Sequence, residues 1–273
     1  MVKCPARTTP RTVAIVFSLT SIVLLIATTA PIIRNVASVA HVEKVLASNG
    51  LESRPPATGR EMTPVAYHPS IWSGYIDYGE KYSAVSAHWT APNFSCNSSA
   101  NRQAIQWVGI DGGNGDGTVE QIGTVLYCPN NKPSLYGWYE MWPTDPRALP
   151  SSGYPISPGD SISASVSVVG VEWTLKISDI TQSWNFSTNI ASPHPVPAQT
   201  TAEWIVERSV GVPNFRHVTF SQATVIANGH RGPITEPSTV ATEIASGSIV
   251  AVKPGPLSAS GTSFVDIWRS DWP

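Results

Sequence analysis

Hydrophobic and polar residues alternate along several short segments of the chain. The alternation is clearest in residues 83–89, 161–168 and 172–177, and further short runs rich in Val, Ile, Trp and Tyr cover residues 103–110, 119–127, 135–142, 202–206, 217–226 and 263–268. Turn-forming residues separate these runs, and no segment carries a clear apolar stripe at helical spacing. Many short strands spaced in this way predict an all-β fold, an antiparallel β-sandwich or a barrel.

The first 70 residues have a different pattern. Lys3, Arg7 and Arg11 precede an apolar run from Val13 to Ile33, which is the form of a secretory signal. The run is also long enough to span a bilayer, so residues 1–40 are interpreted as a signal peptide or as an uncleaved N-terminal anchor. Residues 41–70 are polar and contain Pro and Gly, which predicts a spacer or short propeptide before one β domain over residues 71–273.

Both interpretations of the first segment place the β domain outside the cell. We therefore expect a secreted protein, or one held at the membrane only if the first segment is retained. A monomer is expected.

Charge is sparse and unevenly distributed. The chain has 17 basic and 19 acidic residues, and charged residues make up 13% of it. Residues 1–70 carry 7 basic and 3 acidic residues, whereas residues 71–273 carry 10 basic and 16 acidic ones. The β domain thus lacks the basic surface that nucleic-acid binding requires. A sparsely charged, mildly acidic domain is compatible with work in acid, because few ion pairs are lost when its carboxylates protonate.

The cysteines and an acidic loop are candidates for covalent or metal chemistry. Cys4 falls in the first segment, and Cys96 and Cys128 are expected to form a disulfide in an exported domain, with two free buried thiols as the alternative. Asp111 and Asp116 could hold calcium, but their spacing does not match a known calcium loop. No metal or other cofactor is therefore predicted.

Carboxylates and amides flanked by large apolar residues are the remaining candidates for chemistry. Glu140 and Glu203 lie within Trp-containing runs, and Gln121 lies within another predicted strand. Alternate residues of a strand share one face, so Glu203 and Glu207 lie on the same side. The simplest interpretation of an isolated Glu-Trp pair is that the acids are solvated and the aromatic residue faces the core.

Four ordered blocks change this interpretation. They are Gln106-Trp107-Val108-Gly109-Ile110-Asp111-Gly112, Glu120-Gln121-Ile122-Gly123-Thr124, Trp138-Tyr139-Glu140-Met141-Trp142-Pro143 and Ala202-Glu203-Trp204-Ile205-Val206-Glu207. With Ile156-Ser157-Pro158-Gly159-Asp160-Ser161 between the last two, they resemble the glutamic peptidases, the eqolisin or G1 family. The resemblance covers roughly residues 71–273. One departure is Ile122, since the family commonly has Thr after the corresponding Gln.

The resemblance implies a β-sandwich of the concanavalin-like jelly-roll type, with catalytic Gln121 and Glu203 on its concave sheet. It also implies substrate-binding positions around the cleft at Trp107, Asp111, Tyr139 and Glu140. The corresponding activity is acid endopeptidase chemistry on protein or peptide substrates, with Glu203 as general base and acid and Gln121 as oxyanion stabiliser. The alternatives are a non-catalytic carbohydrate- or peptide-binding module, and a glycoside hydrolase that uses Glu140 and Glu203.

Overall fold

The computed structural model describes residues 67–96, 101–115, 117–234 and 238–272. The predicted signal or anchor over residues 1–40, and nearly all of the predicted spacer over 41–70, lie outside the described residues. Within the described part, no helix has the length and apolar character needed to cross a membrane.

Strands account for almost all of the regular structure in the described residues. They are β1 (Tyr67–Ser70), β2 (Trp72–Tyr78), β3 (Tyr82–Thr90), β4 (Arg102–Ile110), β5 (Val119–Cys128), β6 (Ser134–Trp142), β7 (Arg147–Ala148), β8 (Ser161–Val169), β9 (Glu172–Asp179), β10 (Trp184–Ala191), β11 (Thr201–Arg208), β12 (His217–Ala227), β13 (His230–Gly232), β14 (Thr239–Ser246), β15 (Ile249–Pro254) and β16 (Phe264–Trp268). A single 3₁₀ turn over Pro129–Asn131 is the only helical element in this part of the chain.

The strands form two layers that share one strand. The hydrogen-bonded order is β10-β9-β8-β3-β12-β16-β15-β14-β2-β11-β4-β5-β6-β7, with β13 added to β12 and β1 added to β14. Every pairing is antiparallel except that of β1 with β14. The first part of β12 pairs with β16 and the later part pairs with β3, so this strand passes from one layer to the other. The antiparallel β-sandwich predicted from the sequence is confirmed.

The main core lies between the layers, where β4, β5 and β11 face β3, β8 and β9. Its largest fully buried side chains include Trp173, Trp204, Tyr75 and Phe220. In β8 and β9, buried and partly exposed residues alternate, as expected for strands with one face against a core. In β5, nearly all residues are buried, because a second apolar cluster covers its other face.

One covalent link joins β5 to the loop after β3. Cys96 and Cys128 form a disulfide with a Cα–Cα distance of 5.4 Å, which confirms the predicted pairing. Free buried thiols are therefore not the state of these two residues.

Candidate active site

The two predicted catalytic residues belong to one row of opposed residues that crosses four neighbouring strands. Glu203 on β11 is opposite Gly109 on β4, Gly109 is opposite Gln121 on β5, and Gln121 is opposite Glu140 on β6. Directly opposed residues of a sheet point to the same face. Neighbouring strands lie about 4.8 Å apart, so the Cα atoms of Glu203 and Gln121 are separated by about 10 Å. Their long side chains can therefore approach a common ligand from the two sides of Gly109.

The row belongs to the face that points away from the main core. This face carries a second apolar cluster formed by Ile76, Trp107, Val119, Val125, Trp138 and Ile205. The polar side chains of the row lie beside this cluster and are largely shielded from solvent: Glu203 is 0% exposed, Gln121 5% and Glu140 8%. Electrostatic interactions are stronger in such an environment than in water, and an isolated charge is costly there.

Gly109, between the acid and the amide, carries no side chain, and the indole ring of Trp107 lies against the position that a side chain would take. A Cβ atom added at Gly109 would lie 2.8 Å from the ring of Trp107. Trp107 is fully buried, and its ring contacts that of Trp72 edge to face at a centroid distance of 5.1 Å. Its Nε1 donates a hydrogen bond to Oε2 of Glu207 at 3.0 Å. The Trp107 ring is thus fixed beside the gap that separates Glu203 from Gln121.

The amide of Gln121 is oriented by the neighbouring acid. Gln121 Nε2 donates to Oε2 of Glu140 at 2.7 Å, which leaves the second N–H of the amide for another acceptor. Burial raises the pKa of Glu140 to about 7; the hydrogen bond from Gln121 acts in the opposite direction, and the charge of Asp145 adds to the increase. Glu140 therefore changes charge near neutral pH.

Glu203 has the most strongly perturbed environment of the row. Burial raises the pKa of Glu203 well above its ordinary value, and the negative charges of Asp111 and Glu120 raise it further. The nearby Thr201 hydroxyl and Gly113 N–H lower the pKa of Glu203 in part. Neither is placed to form a regular hydrogen bond with Glu203, and both of its carboxyl oxygens lack a partner among the described residues. A buried acid with free oxygens can take up and release a proton and can bind a water molecule or a ligand.

Asp111 has a structural contact at the edge of the row. It follows β4 in a left-handed conformation with φ of 70°, and its carboxylate accepts the backbone N–H groups of Gln199 and Thr200, each at 2.8 Å. These bonds hold the turn that leads into β11 and hence into Glu203. Asp116, the second residue of the possible calcium site, lies outside the described residues.

Tyr139 does not reach this face. It is adjacent to Glu140 in β6, and adjacent residues of a strand point to opposite faces. Its ring packs against the main core and stacks on Phe186 at a centroid distance of 5.5 Å. The expected position of Tyr139 at the cleft is therefore corrected: it supports the opposite side of β6.

Two further residues of the face had not been assigned a role from the sequence. Glu207 accepts the hydrogen bond of Trp107, and burial raises the pKa of Glu207 to about 7. Trp142 shares the face of Glu140, since it lies two residues further along β6, and its side chain is 50% exposed. Period-two spacing from Glu203 and from Glu140 is the signal that points to both residues.

Comparison with known proteins identifies relatives of the chain. It is 30% identical to aspergillopepsin-2 from Aspergillus niger over 193 aligned residues. The alignment covers 59% of this chain and 66% of that protein. It is 31% identical to scytalidopepsin B from Scytalidium lignicola over 140 aligned residues. This alignment covers 50% of this chain and 51% of that protein. The chain thus spans about two thirds and about half of the lengths of these two relatives.

Solved structures share the fold. Scytalido-glutamic peptidase with a peptide-based transition-state analogue has a TM-score of 0.63, with 76% of this chain and 100% of that chain covered at 22% identity. Aspergilloglutamic peptidase from Aspergillus niger has a TM-score of 0.53, with 61% and 99% covered at 24% identity. Residues 70–260 match the Peptidase A4 family, a range that contains the whole row from Glu203 to Glu140. Because the matched residues make up well over half of the chain, the chain belongs to the Peptidase A4 family.

Proposed function

We propose that the chain is a secreted endopeptidase that cleaves proteins or peptides in acid, with Glu203 as general base and acid and Gln121 as oxyanion stabiliser. The observation that supports this most directly is the cross-strand row in which a buried acid and a buried amide flank Gly109. Family membership supports peptide hydrolysis over the glycoside-hydrolase and binding-module alternatives. A related peptidase has been solved with a peptide-based transition-state analogue, which agrees with this substrate class.

In the proposed reaction, water occupies the gap beside Gly109 and hydrogen-bonds to Glu203. This bond stabilises the carboxylate form and lowers the pKa that the dry pocket raises. Glu203 removes a proton from the water as the water oxygen attacks the peptide carbonyl carbon. The free N–H of Gln121 donates to the resulting oxyanion. Glu203 then returns the proton to the amide nitrogen, the C–N bond breaks, and a carboxylic acid and an amine leave.

The secreted location rests on the disulfide and on the first segment of the sequence. A disulfide between Cys96 and Cys128 is typical of proteins that fold outside the reducing cytosol. The basic and apolar residues that begin the chain have the form of an export signal, with an uncleaved anchor as the alternative. Fractionation of producing cells, followed by N-terminal sequencing of the exported protein, distinguishes the two forms.

Gln121→Ala tests the role of the amide. Loss of one oxyanion donor costs about 10²- to 10³-fold in rate, so hydrolysis of a fluorescein-labelled, denatured protein at pH 3–6 is expected to fall by that factor. Gln103→Ala is the matched control, because Gln103 lies on the same face of β4, six residues from Gly109. Thermal unfolding of each variant shows whether it is folded.

Three results would contradict the proposal. The first is a folded Gln121→Ala protein with the parental rate of hydrolysis. The second is release of reducing sugar from polysaccharides by the parent protein without any proteolysis, which would favour a glycoside hydrolase. The third is binding to glycans without either activity, which would favour a carbohydrate-binding module.

Glu207 is expected to act as a positioning residue through Trp107. Glu207→Ala removes the acceptor of the Trp107 hydrogen bond and should lower kcat by about 10-fold or more, with a smaller change in KM, because the ring beside the gap is no longer fixed. Glu207→Gln keeps a carbonyl oxygen that can accept the same bond and should restore most of kcat. Near-UV circular dichroism of the Trp residues should change in Glu207→Ala and not in Glu207→Gln. Equal kcat values for all three proteins would contradict this role.

A further inference from the structure

Two neighbouring segments separate and meet again where the two layers join. Strand β3 pairs with β12 up to His88, which lies opposite Ser221, and the next contact between these segments is the bridge between Ser95 and Asn214. Seven residue steps separate the two contacts on each segment, so both belong to one antiparallel register. Between them, residues 90–94 and 215–219 line an opening, and at its His88–Ser221 end the buried rings of Trp89 and Phe220 lie 5.6 Å apart between centroids.

The sequence explains why the strands part at this point. Pro92 has no backbone N–H and cannot donate to a neighbouring strand. On the facing segment, Arg216 has a left-handed conformation with φ of 61°, which interrupts an extended chain. The ladder therefore stops after the His88–Ser221 pair and closes again only at Ser95.

Each side of the opening is already paired on its outer edge. Ala91 N–H donates to the Asp160 carbonyl, and Gly159 N–H donates to the Ala91 carbonyl, both at 2.8 Å. On the other side, residues 217–220 pair with β16. Among the described residues, no backbone hydrogen bond crosses from residues 89–94 to residues 215–220. Two backbone segments, each hydrogen-bonded to an outer neighbour, thus face the same space without hydrogen bonds between them.

The opening is large enough for a ligand, and it is lined by a basic side chain but by no acidic one. Its volume is about 730 Å³, within the range of ligand pockets. The described residues that line it are Thr90, Ala91, Pro92, Asn93, Phe94, Ser95, Gly159, Asn214, Phe215, Arg216, His217, Val218 and Thr219. These include Arg216 and His217 but neither Asp nor Glu, although acidic residues outnumber basic ones over residues 71–273.

We propose that this opening binds an extended peptide that carries a carboxylate, as a strand added between the two backbone edges. Apart from the Arg216 N–H, which donates to Asn214 Oδ1 at 3.0 Å, the unjoined edges can supply main-chain hydrogen bonds, the usual basis of peptide binding by strand addition. The Arg216 guanidinium supplies the positive charge that selects a carboxylate. None of the residues in the row from Glu203 to Glu140 lines the opening, so this site is separate from the proposed catalytic site.

Peptide binding to the catalytically impaired Glu203→Gln protein tests the site without cleavage. The probes are fluorescein-labelled hexapeptides with amidated C-termini, one alternating Val with Glu and one alternating Val with Lys, followed by fluorescence anisotropy at pH 5.5. A third probe alternates Val with Ser and ends in a free carboxylate, which separates recognition of a side-chain carboxylate from that of a chain terminus. The acidic hexapeptide, the free-carboxylate hexapeptide or both should bind at least 10-fold more tightly than the basic one.

Charge variants and hydrogen exchange locate the binding. Arg216→Glu and Thr219→Glu should each weaken binding of the preferred probe by about 10-fold, whereas Lys132→Glu, at an exposed turn after β5, should not. Thr219→Glu decides the test if Arg216→Glu does not fold, since Thr219 lies in a regular strand. The bound peptide should slow amide exchange in residues 89–94 and 215–220.

Several outcomes would overturn the proposal. Equal binding of the basic and carboxylate-bearing peptides would exclude charge selection by Arg216. An equal effect of Lys132→Glu would show that only the overall charge matters. Slowed exchange in β4, β5 and β11, with none at the opening, would place the peptide at the proposed catalytic site. Because hydrolysis is not measured, these results do not depend on whether the chain is a peptidase.

Discussion

Glu203→Gln is expected to lower peptide hydrolysis by about 10³-fold while raising the stability of the protein at neutral pH. The rate falls because an amide cannot take a proton from water or return it to the leaving amine. The stability increases because Glu203 is fully buried and its pKa is raised well above the ordinary value, so ionisation in the folded protein is costly. A neutral isostere removes that cost. It also removes the repulsion between a charged Glu203 and the negative charges of Asp111 and Glu120.

This combination of effects separates catalysis from folding. Rates on a labelled denatured protein at pH 3–6 and thermal unfolding at pH 7 should be measured on the same preparations. Glu172→Gln is the matched control, because Glu172 is exposed at the start of β9 and its substitution should change neither quantity by much. A folded Glu203→Gln protein with the parental rate would remove Glu203 from the mechanism. Loss of activity together with a lower unfolding temperature would show that Glu203 is needed for the fold.

The strands and the family could be predicted from the sequence, whereas the arrangement of the site could not. Alternation located most strands, and the ordered Trp-containing blocks indicated the family. The position of Glu203 opposite Gly109 depends on β11 pairing with β4, whose partner residues lie about 95 positions earlier in the chain. Period-two spacing says which residues of one strand share a face, but the register between distant strands depends on tertiary packing.

Strands that are buried on both faces lack the alternation of apolar and polar residues by which a sequence distinguishes the two faces. In β11, the first six residues are all buried, so the alternation that would separate a solvated acid from a core residue is absent. The simple interpretation that Glu203 is solvated is therefore wrong, because the cluster around Trp107 covers the face that would otherwise meet water. Tyr139 shows the opposite difficulty: it belongs to the same sequence block as Glu140, yet the strand geometry sends it to the other side.

The protein is expected to be more stable at pH 4.5 than at pH 7.5. Asp266 is fully buried, and burial raises its pKa to about 7 although the Ser73 hydroxyl donates to it at 2.7 Å. Burial also raises the pKa values of Glu140 and Glu207 to about 7. In the unfolded chain these groups titrate near 4, so between about pH 4.5 and 7 the folded state binds more protons than the unfolded state. Stability then falls as pH rises through this range, and Asp266 alone accounts for a few kcal/mol.

Urea denaturation at pH 4.5, 6 and 7.5 measures this dependence, and Asp266→Asn is expected to make it less steep. The variant should lose little stability at pH 4.5, where Asp266 is already neutral, and gain stability at pH 7.5. An increase in the free energy of unfolding between pH 4.5 and 7.5 would contradict the prediction. Glu140 and Glu207 contribute to the same slope while orienting Gln121 and Trp107. The conditions that keep the fold stable are therefore those in which the acids supporting the proposed site are uncharged, which agrees with the acidic conditions proposed for the reaction.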